Sequence, residues 1–569
     1  MQITCKRGDK TLIFMLELPL MIAGKLKQLI SEAIEKAGLP AVDFTLEHPT
    51  ELAHGDYALN AALIIAKKVN QNPKEVAAKI AAELENTKSD LISKIEVAGP
   101  GFINFYLTPE FFADQIGEIV KAGDEFGKNK TLAGQKIIVE HTDPNPFKEF
   151  HIGHLMTNTI GGAVSHLMQW NGAEVKQACY QGDMGLHVAK AIWGMKHSEL
   201  PIETAHDLGQ AYALGANKYE VDEAVKKEIE EINKQVYEGG NQEIDELYVS
   251  GRRLSLEYFD GIYKKLGTQF DYFFYESDTG PFGKQVVEDY PEVFEKSEGA
   301  VVFKGEKYGL HTRVFINKLG LPTYEAKELG LSQVKYDIYP YDQSVVVTGN
   351  EINEYFKVLL KAMELVFPKL AAKTKHLGHG MLRLPTGKMS SRTGDVITAE
   401  DMVAEVTKRL PEPMEEVAVG AIKFSILKQA IGRDIVFDID KSISFEGDSG
   451  PYLQYTYVRT KSILEKAKEL GIKIVEHPVS NNSEVSVVEK LVYRLPEVIE
   501  KAGKEYAPQQ IITYLLELAA AYNNFYANNK IVDADDLAAS AHRVAITAAT
   551  GLALKNGLTV LGIPVPERM

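Results

Sequence analysis

At 569 residues the chain has room for three or four domains of about 150 residues each. Its 45% apolar and 25% charged content is ordinary for globular protein, and a net charge of −16 excludes indiscriminate coating of nucleic acid while leaving room for a local basic patch. Two cysteines, Cys5 and Cys179, exclude a disulfide scaffold and a thiolate zinc knuckle, and they suit a reducing cytoplasm.

In residues 1–20, Lys6, Arg7 and Lys10 precede an apolar run that imitates a secretory signal. Glu17 interrupts that run and no small-residue cleavage site follows, so an upstream start or a loose extension is expected. No apolar stretch is expected to span a bilayer. Residues 21–110 read as a small α+β unit. Ile22, Leu26, Leu29, Ile30, Ala33 and Ile34 lie on one face of a helix. Asn72-Pro73-Lys74-Glu75 predicts a capping box with proline at the first helical position. A strand pattern then alternates around a Gly99-Pro-Gly101 turn.

Lys136 to Glu140 is a short β-branched run suited to a buried parallel strand. Pro144 and Pro146 break regular structure after it, and helical spacing resumes at Ile152, Leu155, Met156 and Ile160. A strand, a broken loop and a helix place a helix N-terminus at a sheet's carboxyl edge, where amides and the dipole attract anions. His151 and His154 fall one turn apart there, Gly153 offers close backbone approach, and Lys148 lies just upstream. On these residues alone the turn is either two surface histidines or a phosphate site; no third ligand at metal spacing accompanies them, so no protein-bound metal is expected.

A second strand near Val175 leads into Gln181-Gly-Asp-Met-Gly185. Residues 195–300 are charged and helical, an insertion with solvated faces. The sheet is expected to resume at Arg313-Val-Phe-Ile-Asn317 and again at Ser344 to Gly349. Between these, Tyr324 and Glu328 share a helix face where a carboxylate suits a guanidinium. A glycine-bearing strand from His376 leads to Gly387-Lys388-Met389-Ser390-Ser391-Arg392. Residues 431–569 are helical and carry Gly450-Pro-Tyr-Leu-Gln454-Tyr-Thr-Tyr457-Val-Arg459, a mixture that suits base stacking or a helical core stripe.

The pair His151-Ile-Gly-His154 and Lys388-Met-Ser-Ser-Arg392 resembles the HIGH and KMSKS signatures of class I aminoacyl-tRNA synthetases. The wider wording Pro144-Asn-Pro-Phe-Lys-Glu-Phe-His-Ile-Gly-His154 is similar to arginyl-tRNA synthetases in particular. His54-Gly-Asp-Tyr57-Ala-Leu-Asn60 and Gly99-Pro-Gly-Phe-Ile-Asn-Phe105 resemble that family's additional N-terminal domain, and the stretch from Ala541 to Met569 resembles its helical anticodon-binding domain. The resemblance implies an α/β fold: a Rossmann-like parallel-sheet catalytic domain over 111–430 with its insertion, the α+β domain before it and an all-α domain after it.

It also implies the chemistry: arginine is activated by ATP, which brings Mg2+, and passed to the terminal adenosine of its tRNA by a cytoplasmic monomer with no membrane partner. His151 and His154 would stabilise charge on the phosphates, Lys148 and Lys388 would neutralise the leaving pyrophosphate, and Ser390 and Ser391 would donate hydrogen bonds. Gly153, Met389 and the backbone at Met381 would meet ATP, and Asn145, Tyr324 and Glu328 would hold arginine. Tyr57, Asn60, Gln454, Tyr457, Arg459 and Met569 are the expected tRNA contacts, although packing serves the aromatic ones equally well. Three departures stand out: glutamate at 328 where the family favours aspartate, Ile352 where it favours glutamine, and Met156 where it favours arginine. A class I synthetase for another amino acid and a non-catalytic tRNA-binding paralogue are the alternatives.

Overall fold

The computed structural model describes residues 22–87, 89–199, 201–383, 397–474 and 485–569. Two compact units emerge, the first ending at Asp114 and the second beginning at Gln115. In the first, an antiparallel sheet runs in the order Leu46–Glu47, Tyr57–Leu59, Phe102–Leu107, Ile92–Ala98. Helices Ile22–Lys36, Ala61–Val69 and Pro73–Asn86 bury Leu26, Ile30, Ile65, Val76 and Ile80 with Phe105. Asn72 Oδ1 accepts the Lys74 amide at 2.9 Å with Pro73 at the first helical position, but Glu75 is exposed and the expected capping box is only half made. Gly55 has φ +98°, and a Cβ there would meet the Phe105 carbonyl oxygen at 2.7 Å, so this turn requires glycine.

The second unit is organised on a five-stranded parallel sheet in the order Thr374–His379, Gln343–Gly349, Lys136–Glu140, Glu174–Gln181, Tyr272–Tyr275. Its first strand is central, and Ile137, Ile138 and Val139 are fully buried, as an all-parallel sheet covered on both faces requires. The chain winds outward to the Tyr272–Tyr275 edge and then returns to the other side. The order reverses between Lys136–Glu140 and Gln343–Gly349, and a crevice opens at the carboxyl ends there.

Two expectations are corrected. Arg313–Ile316 does not join this sheet; it pairs antiparallel with Ala300–Phe303 in a separate sheet that also holds Glu295–Ser297. The fifth parallel strand is instead Tyr272–Tyr275, inside the stretch read as charged and helical with few sheet signals. A four-residue apolar run does not encode its partner; here helix Gln242–Leu266 returns the chain to the free sheet edge, which decides the pairing. The insertion helices Ala205–Val221, Glu223–Glu238 and Gln242–Leu266 have their own core, in which Leu208, Ile229 and Ile244 pack with Val188, Ile192 and Phe147.

The C-terminal helices include Glu415–Leu427, Gly450–Glu469, Gln509–Asn528 and Leu537–Val560. Contrary to expectation, Leu537–Val560 is long and apolar enough by composition to cross a bilayer, with a mean hydropathy of 1.2. Val544, Ile546, Leu554 and Leu558 are buried within the protein, so the helix serves as core.

Candidate active site

A cavity of about 730 Å³ fills the crevice, and it is lined from every side by strand ends and helix starts. Its floor is the loop after Lys136–Glu140. Thr142, Asp143 and Phe147 have φ of +82°, +45° and +68°, a conformation that costs non-glycine residues free energy unless neighbours enforce it. The enforcement is visible. Asp143 Oδ1 accepts the Tyr180 amide at 2.7 Å, and the Phe147 amide donates to Ser255 Oγ at 2.8 Å. The Phe147 ring is fully buried against Gly251, where a Cβ would lie 2.2 Å from it. The helical insertion therefore clamps the loop that carries the motif.

His151 is the N-cap of helix Ile152–Trp170. Its Nδ1 accepts the amides of Gly153 at 3.1 Å and His154 at 3.4 Å, while His154 Nδ1 accepts the His151 amide at 3.3 Å. Two amides of the expected anion site are thus already capped by an imidazole. An acceptor Nδ1 leaves each neutral ring its proton on Nε2. Burial, then the Lys148 charge, pushes the His151 pKa down to about 4, and burial followed by His151 and Lys148 holds that of His154 well below its usual value. Both are therefore neutral donors at pH 7 and not the cations that charge neutralisation would suggest.

Across the cavity stand Tyr324 and Glu328 on helix Tyr324–Ile338. Burial and the charge of Glu140 push the Glu328 carboxyl up to about 8, against the opposing Lys335 ammonium and a Tyr324 hydrogen bond. Glu140 and Lys335 form a buried pair at 2.5 Å. Glu276, also cavity-lining, forms a buried pair with Lys327 at 2.6 Å. Asn145 enters beside Gly182, where a Cβ would lie 2.4 Å from its Oδ1.

Of the predicted residues, Asn145, His151, Gly153, His154, Tyr324, Glu328 and Met381 line one cavity, as do the departing Met156 and Ile352. Lys148 does not; its ammonium sits 4.7 Å above the Tyr212 ring of the insertion, and burial lowers its pKa. The backbone of Met381 also joins the neighbouring strand: its amide donates to Asp434 Oδ1 at 2.9 Å and its carbonyl accepts from the Ile435 amide at 2.8 Å. Lys388, Met389, Ser390 and Ser391 lie outside the described residues. Sequence reasoning missed Asp143, Tyr180, Glu276, Thr348 and His379, all cavity-lining. The signal for Asp143 and Tyr180 was their place at the ends of adjacent parallel strands. Asp183, in the Gln181-Gly-Asp turn, is buried outside the cavity, where it accepts from Arg252, Tyr248 and Ser277.

Burial supports packing for several expected tRNA contacts. Tyr57 is fully buried with its ring 4.4 Å from that of His48, and Asn60 Oδ1 accepts the Thr45 amide. Gln454 is fully buried and donates to the Pro564 carbonyl at 2.8 Å, and Tyr457 is 8% exposed. Arg459 differs: its guanidinium lies 4.9 Å from the Tyr455 ring and 5.2 Å from that of Tyr526, both exposed. Met569 is half-buried at the end of the chain.

Family comparisons agree with this geometry. The family described as "Arginyl tRNA synthetase N terminal domain" matches residues 24–107, "tRNA synthetases class I (R), catalytic domain" matches 115–438, and "DALR anticodon binding domain" matches 453–569. The arginine–tRNA ligase of Halothermothrix orenii is 30% identical over 96% of this chain and 99% of its own length. That of Clostridium perfringens is 29% identical over 95% of this chain and all of its own. Among solved structures, the arginyl-tRNA synthetase of Thermus thermophilus shares the fold at a TM-score of 0.78, with 24% identity over 96% of this chain and 100% of that one. The Plasmodium falciparum enzyme does so at 0.76, with 18% identity over 96% of this chain and 99% of that one. With a catalytic-domain match across more than half its length and a 30% identical relative across nearly all of it, the chain belongs to the arginyl-tRNA synthetase family of class I aminoacyl-tRNA synthetases.

Proposed function

We propose a division of labour within the cleft: ATP at the start of helix Ile152–Trp170, arginine between the Asn145 loop and the Tyr324–Glu328 face. Family membership makes the chain an arginine–tRNA ligase, which converts L-arginine and ATP to arginyl-adenylate and then charges the tRNA. An oxygen of arginine's carboxylate bonds to the α-phosphorus and the bond to the β-phosphate oxygen breaks, releasing pyrophosphate. A hydroxyl of the terminal adenosine then takes the acyl group and AMP leaves. Positioning and charge stabilisation suffice for such displacements, and no covalent enzyme intermediate is needed.

The observation that carries this reading is that the His151–His154 donors and the Glu328 carboxylate line one cavity. The Nε2–H groups would donate to phosphate oxygens, and Glu328 with Tyr324 would take the guanidinium in two parallel hydrogen bonds. Lys388, Met389, Ser390 and Ser391 would complete the phosphate side. In support, Leu382 before that segment lines the cavity, and Thr398 after it bridges to His151. Lys148 would serve after leaving Tyr212. Mg2+ would arrive with ATP; among the described residues no cluster of three or more His, Cys, Asp or Glu forms a metal site. Residues 21–110 would contact tRNA, 111–430 would catalyse and 431–569 would read the anticodon, with exposed Tyr455 and Tyr526 around Arg459 suited to stacking bases. The reading includes a cytoplasmic monomer. Arginine-dependent ATP–pyrophosphate exchange with cognate tRNA tests it: E328Q should lose exchange while retaining tRNA affinity, and unchanged exchange would contradict the assignment.

A further inference from the structure

We propose that Asp143 is a specificity-determining residue whose carboxylate takes the α-ammonium of arginine while Glu328 takes its side chain. This rests on the arginine pocket described above and assigns its second anionic wall. Asp143 lines the cavity on the loop that also carries Asn145, the residue expected at the amino acid's backbone end, whereas Glu328 projects from a different helix with Tyr324 beside it. Only one oxygen of Asp143 is committed to the fold, through the Tyr180 amide at 2.7 Å. The backbone there is held at φ +45°, so the orientation is imposed by the clamped loop and not by local preference.

Charge complementarity argues for a ligand with two cationic ends. Asp143, Glu276, Glu328 and Glu351 line the cavity and no described lysine or arginine does. Lys327 answers Glu276 and Lys335 is bound to Glu140, which leaves Asp143, Glu328 and Glu351 without a lysine or arginine partner among the described residues. Asp143 shares its loop with Asn145 and Glu328 its helix with Tyr324, the two groups expected to hold arginine. Burial, then the charge of Glu140 and, more weakly, that of Glu328, keep the Asp143 carboxyl well above its usual range, against the Tyr180 amide and Lys335. A metal ion is the competing answer, but the described residues supply no cluster that would hold one.

The test compares three ligands in pyrophosphate exchange with cognate tRNA: arginine, agmatine (both cations, no carboxylate) and 5-guanidinopentanoate (no α-ammonium), the last two as competitive inhibitors. Asp143→Asn keeps an acceptor for the Tyr180 amide while removing the charge. It should raise the arginine KM and the agmatine Ki about 10- to 100-fold, the size expected for one charge-assisted hydrogen bond. The guanidinopentanoate Ki should stay within about twofold, the tolerance for a contact left untouched. Asp143→Ser is a second charge-free variant, so a folding failure of one leaves the test standing, and thermal melting reports on each. No change in KM, or equal loss for all three ligands with or without a raised magnesium requirement, would overturn the proposal. If Glu328→Gln left guanidinopentanoate inhibition unchanged, the pocket reading itself would fall and this proposal with it.

Discussion

The imidazoles of His151 and His154 stack with centroids 3.6 Å apart and planes 17° apart, each ring accepting a backbone amide at Nδ1. That arrangement spends one nitrogen of each ring on the helix start and leaves the other as a fixed donor.

The first prediction concerns that donor. Replacing His154 by alanine should lower kcat for pyrophosphate exchange by about 10²- to 10³-fold, the loss typical of one preorganised donor to a developing oxyanion. The arginine KM should change little, because the ring is proposed to meet phosphate and not the amino acid. A variant that loses KM and keeps kcat would place His154 on the wrong substrate.

A second prediction follows from Glu328, whose carboxyl is pushed up to about 8 by burial and by Glu140. A carboxyl so raised is mostly protonated at pH 7, and a guanidinium selects the carboxylate. Arginine affinity should therefore rise as pH climbs from 7 to 8 and level off above, with a proton released on binding. Calorimetry in buffers of different ionisation enthalpy measures that proton, and E328Q should remove the share of it that Glu328 releases.

Acid should weaken the fold through its buried imidazoles. Burial pushes His141 and His151 down to about 4 and His187 to about 3. Their folded values lie below the unfolded ones, so the stabilising neutral state is fully present above about pH 6.5 and is lost as pH falls toward 4. Fully buried His141 alone is worth up to a few kcal/mol in this window. Melting curves at stepped pH, each with a proton count, check the sign; a Tm that rose on acidification would contradict it.

Two glycines of one helix make an internal control. A Cβ on Gly251 would meet the Phe147 ring at 2.2 Å, whereas one on Gly261 meets nothing within 4 Å. Gly251→Ala should cost about 1–3 kcal/mol through overpacking and lower kcat by moving the loop that bears Lys148 and His151. Gly261→Ala should stabilise by up to about 1 kcal/mol and leave turnover alone. Denaturant melts and exchange kinetics on both variants measure this.

How far the site could be read in advance depended on how local its signals were. Pro144, Pro146, His151 and His154 sit within one short segment, and their spacing alone implies strand, loop and capped helix. Tyr324 and Glu328 were legible for the same reason, one helical turn apart. Glu276 was not, because it follows a strand, Tyr272–Tyr275, whose place in the sheet depends on a partner edge nearly a hundred residues upstream. Arg313–Ile316 was misassigned by the same ignorance of pairing. Gln454 and Tyr457 illustrate a different limit. An amide and an aromatic at helical spacing look alike whether they face RNA or close against the protein, and here Gln454 bonds the Pro564 carbonyl while Tyr457 is buried. His151 held one surprise of chemistry, since its own ring occupies amides that the helix start seemed to offer a phosphate.

The most direct measurement is charging of cognate tRNA with labelled arginine, lysine or citrulline at equal concentration. Arginine alone should be esterified, because citrulline has the same shape without the charge that Glu328 is proposed to bind and lysine cannot make the paired hydrogen bonds. Charging with citrulline, or tRNA binding without any charging, would contradict a cleft built around a cationic amino acid and a nucleotide.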